Sequence, residues 1–338
     1  MRTCIASCSV ASLLLLQCAN AAFAGSGRPS SSSCFVKQGR TSQTVVRAGT
    51  AESATEAFTP PDARSAVPGI HETEVQPSRN PIGPNSSVLV VGGTRGIGLE
   101  FVRQCAQRGA SVAATHRDGS IPEALLQLIK ACEDDNIGAV SGLQMDVADE
   151  SSIQNAAMEL KSREDFKPLT HIIHSAGTYL KGTTFDGSSR GGRPPAPPVT
   201  KDIMMDTLLI NAVGPLMVAQ SFVPIMGSSP EATDDQLPIL AVLTSKVGSI
   251  HDNGSGGTYA YRASKSALNN ICKSLSVDLM GEISVVLIHP GYVRTDMTGG
   301  NGLIDVDESV SGMLRAVEST DRTVGFRFVD YKAELIPW

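Results

Sequence analysis

The sequence predicts an α/β fold, a single doubly wound domain with a mainly parallel sheet of about seven strands flanked by helices. Three observations predict it. Short β-branched or apolar runs recur along residues 86–338, amphipathic stretches separate them, and the first run leads into a glycine-rich turn that opens a helical stretch. Parallel strands need crossover connections, and helical crossovers cover both faces of the sheet.

The elements follow in order. Residues 87–91 form the first run, glycines follow, and 96–108 is helical in pattern. Further runs stand at 111–115, 139–145, 170–174, 238–244 and 283–289, in the lengths expected of strands buried on both faces. No repeat and no second domain is visible. Two stretches break the rhythm: 182–198, rich in Gly, Pro and Arg, and 227–237, polar and acidic. Both read as extended surface connections, the first bordering a substrate cleft.

The chain before residue 86 is of another kind. Residues 1–51 hold no acid but include Arg2, Arg28, Lys37, Arg40 and Arg47. A short apolar run through 10–16, then Ala22, Phe23 and Ala24, has the form of a signal-peptidase region and is too short to span a bilayer. The Ser/Thr-rich basic stretch behind it is composed like a transit peptide. The two in series resemble the bipartite presequences of algae with complex plastids, with Val46-Arg47-Ala48 as a stromal processing site. A plastid is the expected destination, and secretion or another organelle is the alternative. Residues 52–85, which contain Pro60, Pro61, Pro68, Pro77, Pro81 and Pro84, read as a disordered linker, so the expected domain is 86–338.

The net charge of −6, less the five leading positive charges, leaves −11 on residues 52–338. That acidity argues against a nucleic-acid face and for small-molecule chemistry. No membrane partner is expected. Cys105, Cys132 and Cys272 are scattered and form no Cys-x-x-Cys pair, so they read as buried structural thiols.

Leu89-Val90-Val91-Gly92-Gly93-Thr94-Arg95-Gly96-Ile97-Gly98 places Gly92, Gly96 and Gly98 between the first strand and helix. There a backbone without side chains approaches a pyrophosphate, whose charge the helix N-terminus stabilises. An ordinary tight turn is the bland alternative, and the position after the first strand of a Rossmann-type body argues against it. Thr115-His116-Arg117 ends the second strand without the acid that would bond a ribose 2′-hydroxyl. Arg117 with Arg95 can clamp a 2′-phosphate, which predicts NADP(H), although Asp118 stands beside Arg117.

In Tyr261-Arg262-Ala263-Ser264-Lys265 the i, i+4 spacing puts phenol and ammonium on one helical face. A nearby cation favours the phenolate, so the tyrosine pKa is expected to fall, which suits proton transfer to a substrate oxygen. Ser245 lies at the C-terminal end of a predicted strand, where ligand sites of open α/β sheets gather, and its hydroxyl can orient a carbonyl. Tyr259 is the competing phenol, but Ala263 stands four residues on.

These motifs together resemble the short-chain dehydrogenase/reductase family over essentially all of 86–338. Further matches are Asp146-Val147 after the third strand, Asn211 within Leu209-Ile210-Asn211-Ala212-Val213-Gly214-Pro215, and Pro290-Gly291-Tyr292-Val293-Arg294-Thr295. Tyr259-Ala260-Tyr261, His289-Pro290-Gly291 and the ending Ile336-Pro337-Trp338 look like the C-factor and sniffer-type carbonyl reductases of that family. The resemblance implies an NADP(H)-dependent oxidoreductase acting on a small carbonyl or alcohol. Tyr261 would be its general acid/base, Lys265 would lower the tyrosine pKa and hold the nicotinamide ribose, Ser245 would position the substrate oxygen, and Asn211 would order a relay water.

It also implies that Asp146 and Val147 meet the adenine, that Ala176 and Gly177 keep the cofactor approach, and that Pro290, Gly291, Val293 and Thr295 form the nicotinamide-side loop. Assembly as a homodimer or homotetramer is implied as well. The departure is His174-Ser175, where the family usually has Asn-Asn; His174 is expected to act as a hydrogen-bonding substitute rather than as a base or metal ligand. The rival reading, a non-catalytic NADP(H)-binding regulatory or signalling protein, would be expected to have lost Tyr261 or Lys265, and both are present.

Overall fold

The computed structural model describes residues 78–166, 168–192 and 194–338. The expected presequence and residues 52–77 of the expected linker lie outside them. Among the described residues there are seven strands: β1 Ser87–Val91, β2 Ser111–His116, β3 Ala139–Gln144, β4 His171–His174, β5 Ile239–Leu243, β6 Ser284–His289 and β7 Arg327–Asp330. They form one sheet in the order β3-β2-β1-β4-β5-β6-β7, and every pairing is parallel. Six strands lie where the apolar runs stand. The seventh, Arg-Phe-Val-Asp, holds too few apolar residues to make a run.

Helices α1 Gly96–Gln107, α2 Glu123–Asp135 and α7 Val306–Glu318 cover one face. Helices α3 Glu150–Ser162, α5 Gly214–Phe222 and α6 Tyr259–Asp278 cover the other. The faces follow from the period-two alternation of each strand. In β1, Val88 and Val90 join Phe101, Val102 and Met313, while Leu89 and Val91 join Ile153, Phe222 and Leu268. Strand β1 is buried at all five positions, so both layers shield it. Helix α4 Lys201–Leu208 runs through a π-helical turn, Leu209–Val213, into α5. The stretch Lys201–Ile225 is apolar and long enough to cross a membrane, but 39% of its most apolar window is buried inside the domain.

The domain begins earlier than the sequence suggests. Residues 78–85, expected to be linker, strap the N-terminal ends of the central strands β1, β4 and β5. The amides of Arg79 and Asn80 donate to the Glu318 carbonyl at 2.8 Å, Asn80 Nδ2 reaches the Leu237 carbonyl at 2.8 Å, and Ile82 is only 4% exposed. Proline content misled because one buried isoleucine and three hydrogen bonds to two backbone carbonyls outweigh composition. The polar 227–237 segment packs here as well: Asn85 Nδ2 donates to Glu231 Oε2, and Gln236 Nε2 donates to the Arg79 carbonyl.

The strand order reverses between β1 and β4, where consecutive crossovers leave on opposite sides. Ligands of open α/β sheets bind outside the carboxyl ends of the strands at such a point.

Candidate active site

The turn after β1 is as close as its glycines allow. A Cβ on Gly92, whose φ is +83°, would stand 2.9 Å from the Ala176 backbone after β4. One on Gly98 would stand 2.0 Å from the Gly92 carbonyl oxygen, so neither position tolerates a side chain. Thr115 at the end of β2 fixes the turn: its hydroxyl accepts from the Gly92 amide at 2.8 Å and its carbonyl from the Gly93 amide at 3.2 Å. Gly96, by contrast, faces open space, its nearest neighbour being Thr295 Cγ2 at 3.8 Å. Arg95, the residue at the start of α1, caps none of the helix amides with its side chain. The partial positive charge of that helix end therefore points into the opening. Thr94 is half-buried and Ile97 packs on the core, so both hold the turn in shape.

Both expected phosphate ligands lie at the surface with an acid beside them. Arg95 Nη1 is 3.5 Å from Asp296 Oδ2, and Arg117 Nε is 3.5 Å from Asp118 Oδ1. All four side chains are more than 70% exposed. Such pairs contribute little, so each arginine is free to exchange its carboxylate for a phosphate.

The remaining loops close the cleft. Asp146 Oδ1 accepts from the Ala148 amide at 2.9 Å, and its own amide donates to Ser152 Oγ at 2.9 Å, fixing this loop on the start of α3. The Val147 carbonyl abuts Gly214, where a Cβ would come within 2.6 Å. After β6, Ser309 Oγ donates to the Pro290 carbonyl at 2.6 Å, and Gly291 takes φ +84° because Ile304 and Tyr331 leave no room for a side chain. Val293 is buried, and Thr295 starts a short capped turn with Thr298 that reaches over the glycine turn.

The candidate catalytic residues converge at the ends of β4 and β5. Ser245 lies two residues past the end of β5 and is 8% exposed. Helix α6 begins after Thr258, held in the left-handed region at φ 46° and bonded through its amide to the Thr183 carbonyl at 2.8 Å. That bond ties the 182–198 excursion to the start of α6. Tyr261 lies in the first turn, hydrogen-bonded to Ser245, and Lys265 Nζ sits 5.8 Å from its ring centroid. Lys265 is 4% exposed and donates to the Leu243 carbonyl at 3.0 Å.

Asn211 occupies the π-helical turn and is fully buried. Its Oδ1 accepts from the Thr178 amide at 2.7 Å, and its Nδ2 donates to the Thr178 carbonyl at 2.9 Å and to Ser264 Oγ at 3.1 Å. Gly177 is the gap between these groups: a Cβ there would meet Asn211 Oδ1 at 3.3 Å and Lys265 Nζ at 3.7 Å.

Two expectations about this site are corrected. The Tyr261 pKa does not fall. Burial pushes it up to about 12, the Ser245 bond opposes that, and the nearby Tyr179 phenol adds to it. The ammonium of Lys265 does not offset this burial, which also pushes the Lys265 pKa down to about 8. His174, expected to replace an asparagine by hydrogen bonding, does so only in part: it bonds its own backbone while Nε2 is buried without a partner, and burial with the nearby Lys265 charge pushes its pKa down to about 3 against that bond. Cys105, Cys132 and Cys272 are buried free thiols with raised pKa values, as expected of structural cysteines. Sequence reasoning missed Thr115, Thr178, Ser264 and Tyr179, whose roles depend on partners 23 to 82 positions away.

Comparison with known proteins follows the same residues. The family model for short chain dehydrogenases matches residues 86–302. C-signal of Myxococcus xanthus is 41% identical over 136 residues, which are 40% of this chain and 78% of that protein. The 1-hydroxy-2-glutathionyl-2-methyl-3-butene dehydrogenase of Rhodococcus sp. (strain AD45) is 28% identical over 75% of this chain and 100% of its own length. Among solved structures, the NADPH-bound carbonyl reductase from chicken fatty liver superposes with a TM-score of 0.65 at 26% identity, covering 77% of this chain and 96% of that one. The carbonyl reductase Sniffer of D. melanogaster gives 0.63 at 27% identity, covering 75% and 99%.

Proposed function

Since the chain belongs to the short-chain dehydrogenase family, we propose that it is an NADP(H)-dependent carbonyl reductase acting on a small carbonyl or alcohol, with Tyr261 as its general acid/base. One observation carries this: Tyr261, Ser245 and Lys265 meet beside a glycine turn that no side chain fills. The NADPH bound to the chicken carbonyl reductase supports the choice of cofactor.

The residues present fit NADP(H). Gly92, Gly96 and Gly98 with the open start of α1 would take the pyrophosphate, Arg95 and Arg117 the 2′-phosphate, and Asp146 and Val147 the adenine side. Ala176, Gly177 and the loop of Pro290, Gly291, Val293 and Thr295 would line the nicotinamide side, and Lys265 Nζ is placed to bond the ribose. When bound, the cofactor supplies or accepts the hydride at the substrate carbon.

The protein's own part is to handle the oxygen and its proton. Ser245 Oγ, fixed at the end of β5, can donate to the carbonyl oxygen and hold it at the Tyr261 hydroxyl. The raised pKa keeps that phenol protonated at neutral pH, which is the form needed to protonate a developing alkoxide. Lys265 places positive charge beneath the ring as negative charge develops on the oxygen. Asn211 holds the loop carrying Thr178, so its proposed service to a relay water comes with a structural duty.

A panel of aldehydes, ketones and quinones with NADPH tests the reading. Tyr261→Phe should lose about 10² to 10⁴ in kcat with NADPH binding nearly intact. Lys265→Ala should harm both, and Tyr259→Phe should change little. Wild-type protein that binds NADPH but reduces nothing would favour the regulatory or signalling reading, which the likeness to C-signal keeps in play. Full activity in Tyr261→Phe would end the assignment of the acid.

A further inference from the structure

Tyr179 stands edge-on to the catalytic ring, its centroid 5.1 Å from that of Tyr261 and its plane turned by 74°. This is the geometry in which the positive edge of one ring meets the negative face of another. Two features make the contact more than incidental packing.

The first is how Tyr179 is held. Asn211 grips the preceding residue, Thr178, by both its amide and its carbonyl. The same Asn211 bonds Ser264 Oγ, which donates to the carbonyl of Tyr261 itself at 2.8 Å. Tyr179 is thereby referenced through one fully buried side chain to the helical turn that carries the residue it touches. The second feature is exposure. Tyr179 is 41% exposed, so its ring adds little to the core and instead flanks the catalytic phenol at the mouth of the site. The Ser245 hydroxyl and the Lys265 ammonium also lie close to Tyr261.

We propose that Tyr179 is a positioning residue for Tyr261, its ring holding the catalytic phenol in one orientation while the Asn211 clamp on Thr178 sets where that ring stands. The inference rests on Tyr261 being the acid. An edge-to-face pair biases an orientation by about two- to tenfold, so the effect belongs in kcat and not in cofactor affinity.

Two variants separate ring from hydroxyl. Tyr179→Leu removes the ring, and Tyr179→Phe keeps it without the hydroxyl. Each is assayed for kcat and KM with NADPH, and for the ionisation midpoint of Tyr261, read by ultraviolet titration of cofactor-free protein against the matching Tyr261→Phe background. Tyr179→Leu should lower kcat about two- to tenfold with an unchanged KM for NADPH, and Tyr179→Phe should restore it. The Tyr261 midpoint should fall in Tyr179→Phe, because a phenol that opposes its ionisation is gone, and further in Tyr179→Leu, because water reaches the ring. Unaltered kcat in Tyr179→Leu with a midpoint equal to that of Tyr179→Phe would overturn the proposal, as would equal loss of kcat in both variants. The titration needs no turnover. A wild-type protein inactive on every carbonyl therefore defeats the reductase reading alone, and the order of the midpoints still decides the role of Tyr179.

Discussion

Acid should unfold this protein through three histidines before its carboxylates take part. His171, His174 and His289 sit at the ends of β4 and β6, each with a buried ring nitrogen that has no partner. Burial pushes their pKa values down from 6.5 to about 4, 3 and 4 respectively. A base with a depressed folded pKa binds fewer protons in the native state than in the unfolded one. Its stabilising contribution is whole above pH 6.5, falls as the unfolded chain takes up protons below 6.5, and is exhausted below the folded value. At pH 5 each histidine lies about 1.5 units below its unfolded pKa and costs about 2 kcal/mol, so the three together cost about 6 kcal/mol. That is comparable to the whole stability of a typical domain, about 5 to 15 kcal/mol.

Urea unfolding measured from pH 8 to 5 is the assay. Stability should be nearly level above pH 7 and then fall with a slope approaching about 4 kcal/mol per pH unit, the value for three protons. Replacing one of them, as in His171→Gln or His289→Gln, should remove about a third of the slope whatever it does to stability at pH 8. The window isolates the histidines, because Asp165 and Asp321 have pKa values below the ordinary 3.8 and lose their contribution only in stronger acid. A flat profile between pH 6.5 and 5, or a slope indifferent to the substitutions, would refute the reasoning.

Two further outcomes are expected. Arg117→Asp should weaken NADPH binding by about 1 to 3 kcal/mol, through loss of a charge-assisted contact and added repulsion, and leave NADH nearly unaffected; equal binding of both cofactors by the unaltered protein would contradict the phosphate clamp. Ile82→Ala should lower stability by about 2 to 5 kcal/mol, the range for truncating a buried isoleucine, and a chain starting at residue 86 should melt earlier than one starting at 78; coincident melting curves would show the strap to be dispensable.

What the sequence determined by itself is whatever depends on neighbours along the chain. Strand β1 is legible because a strand buried on both faces is apolar throughout, and the Tyr261 and Lys265 pair because four residues are one helical turn. Gly98 belongs with them, since a Cβ there would meet the Gly92 carbonyl within the same turn, whereas Gly92 answers to Ala176, far along the chain. Tertiary structure decided the rest. Strand β7 has only Phe328 and Val329 as apolar residues, and it is fixed by pairing with β6 and by buried Arg327, whose Nη2 bonds the Ala316 carbonyl, Ser319 Oγ and Thr320 Oγ1. Residues 78–85 are ordered by Glu318 and Leu237, which lie far along the chain. The ionisation of Tyr261 follows the same division: the sequence places a lysine one turn away, but the shift is set mainly by how much water the fold removes from the phenol, and desolvation is a property of the packed site as a whole.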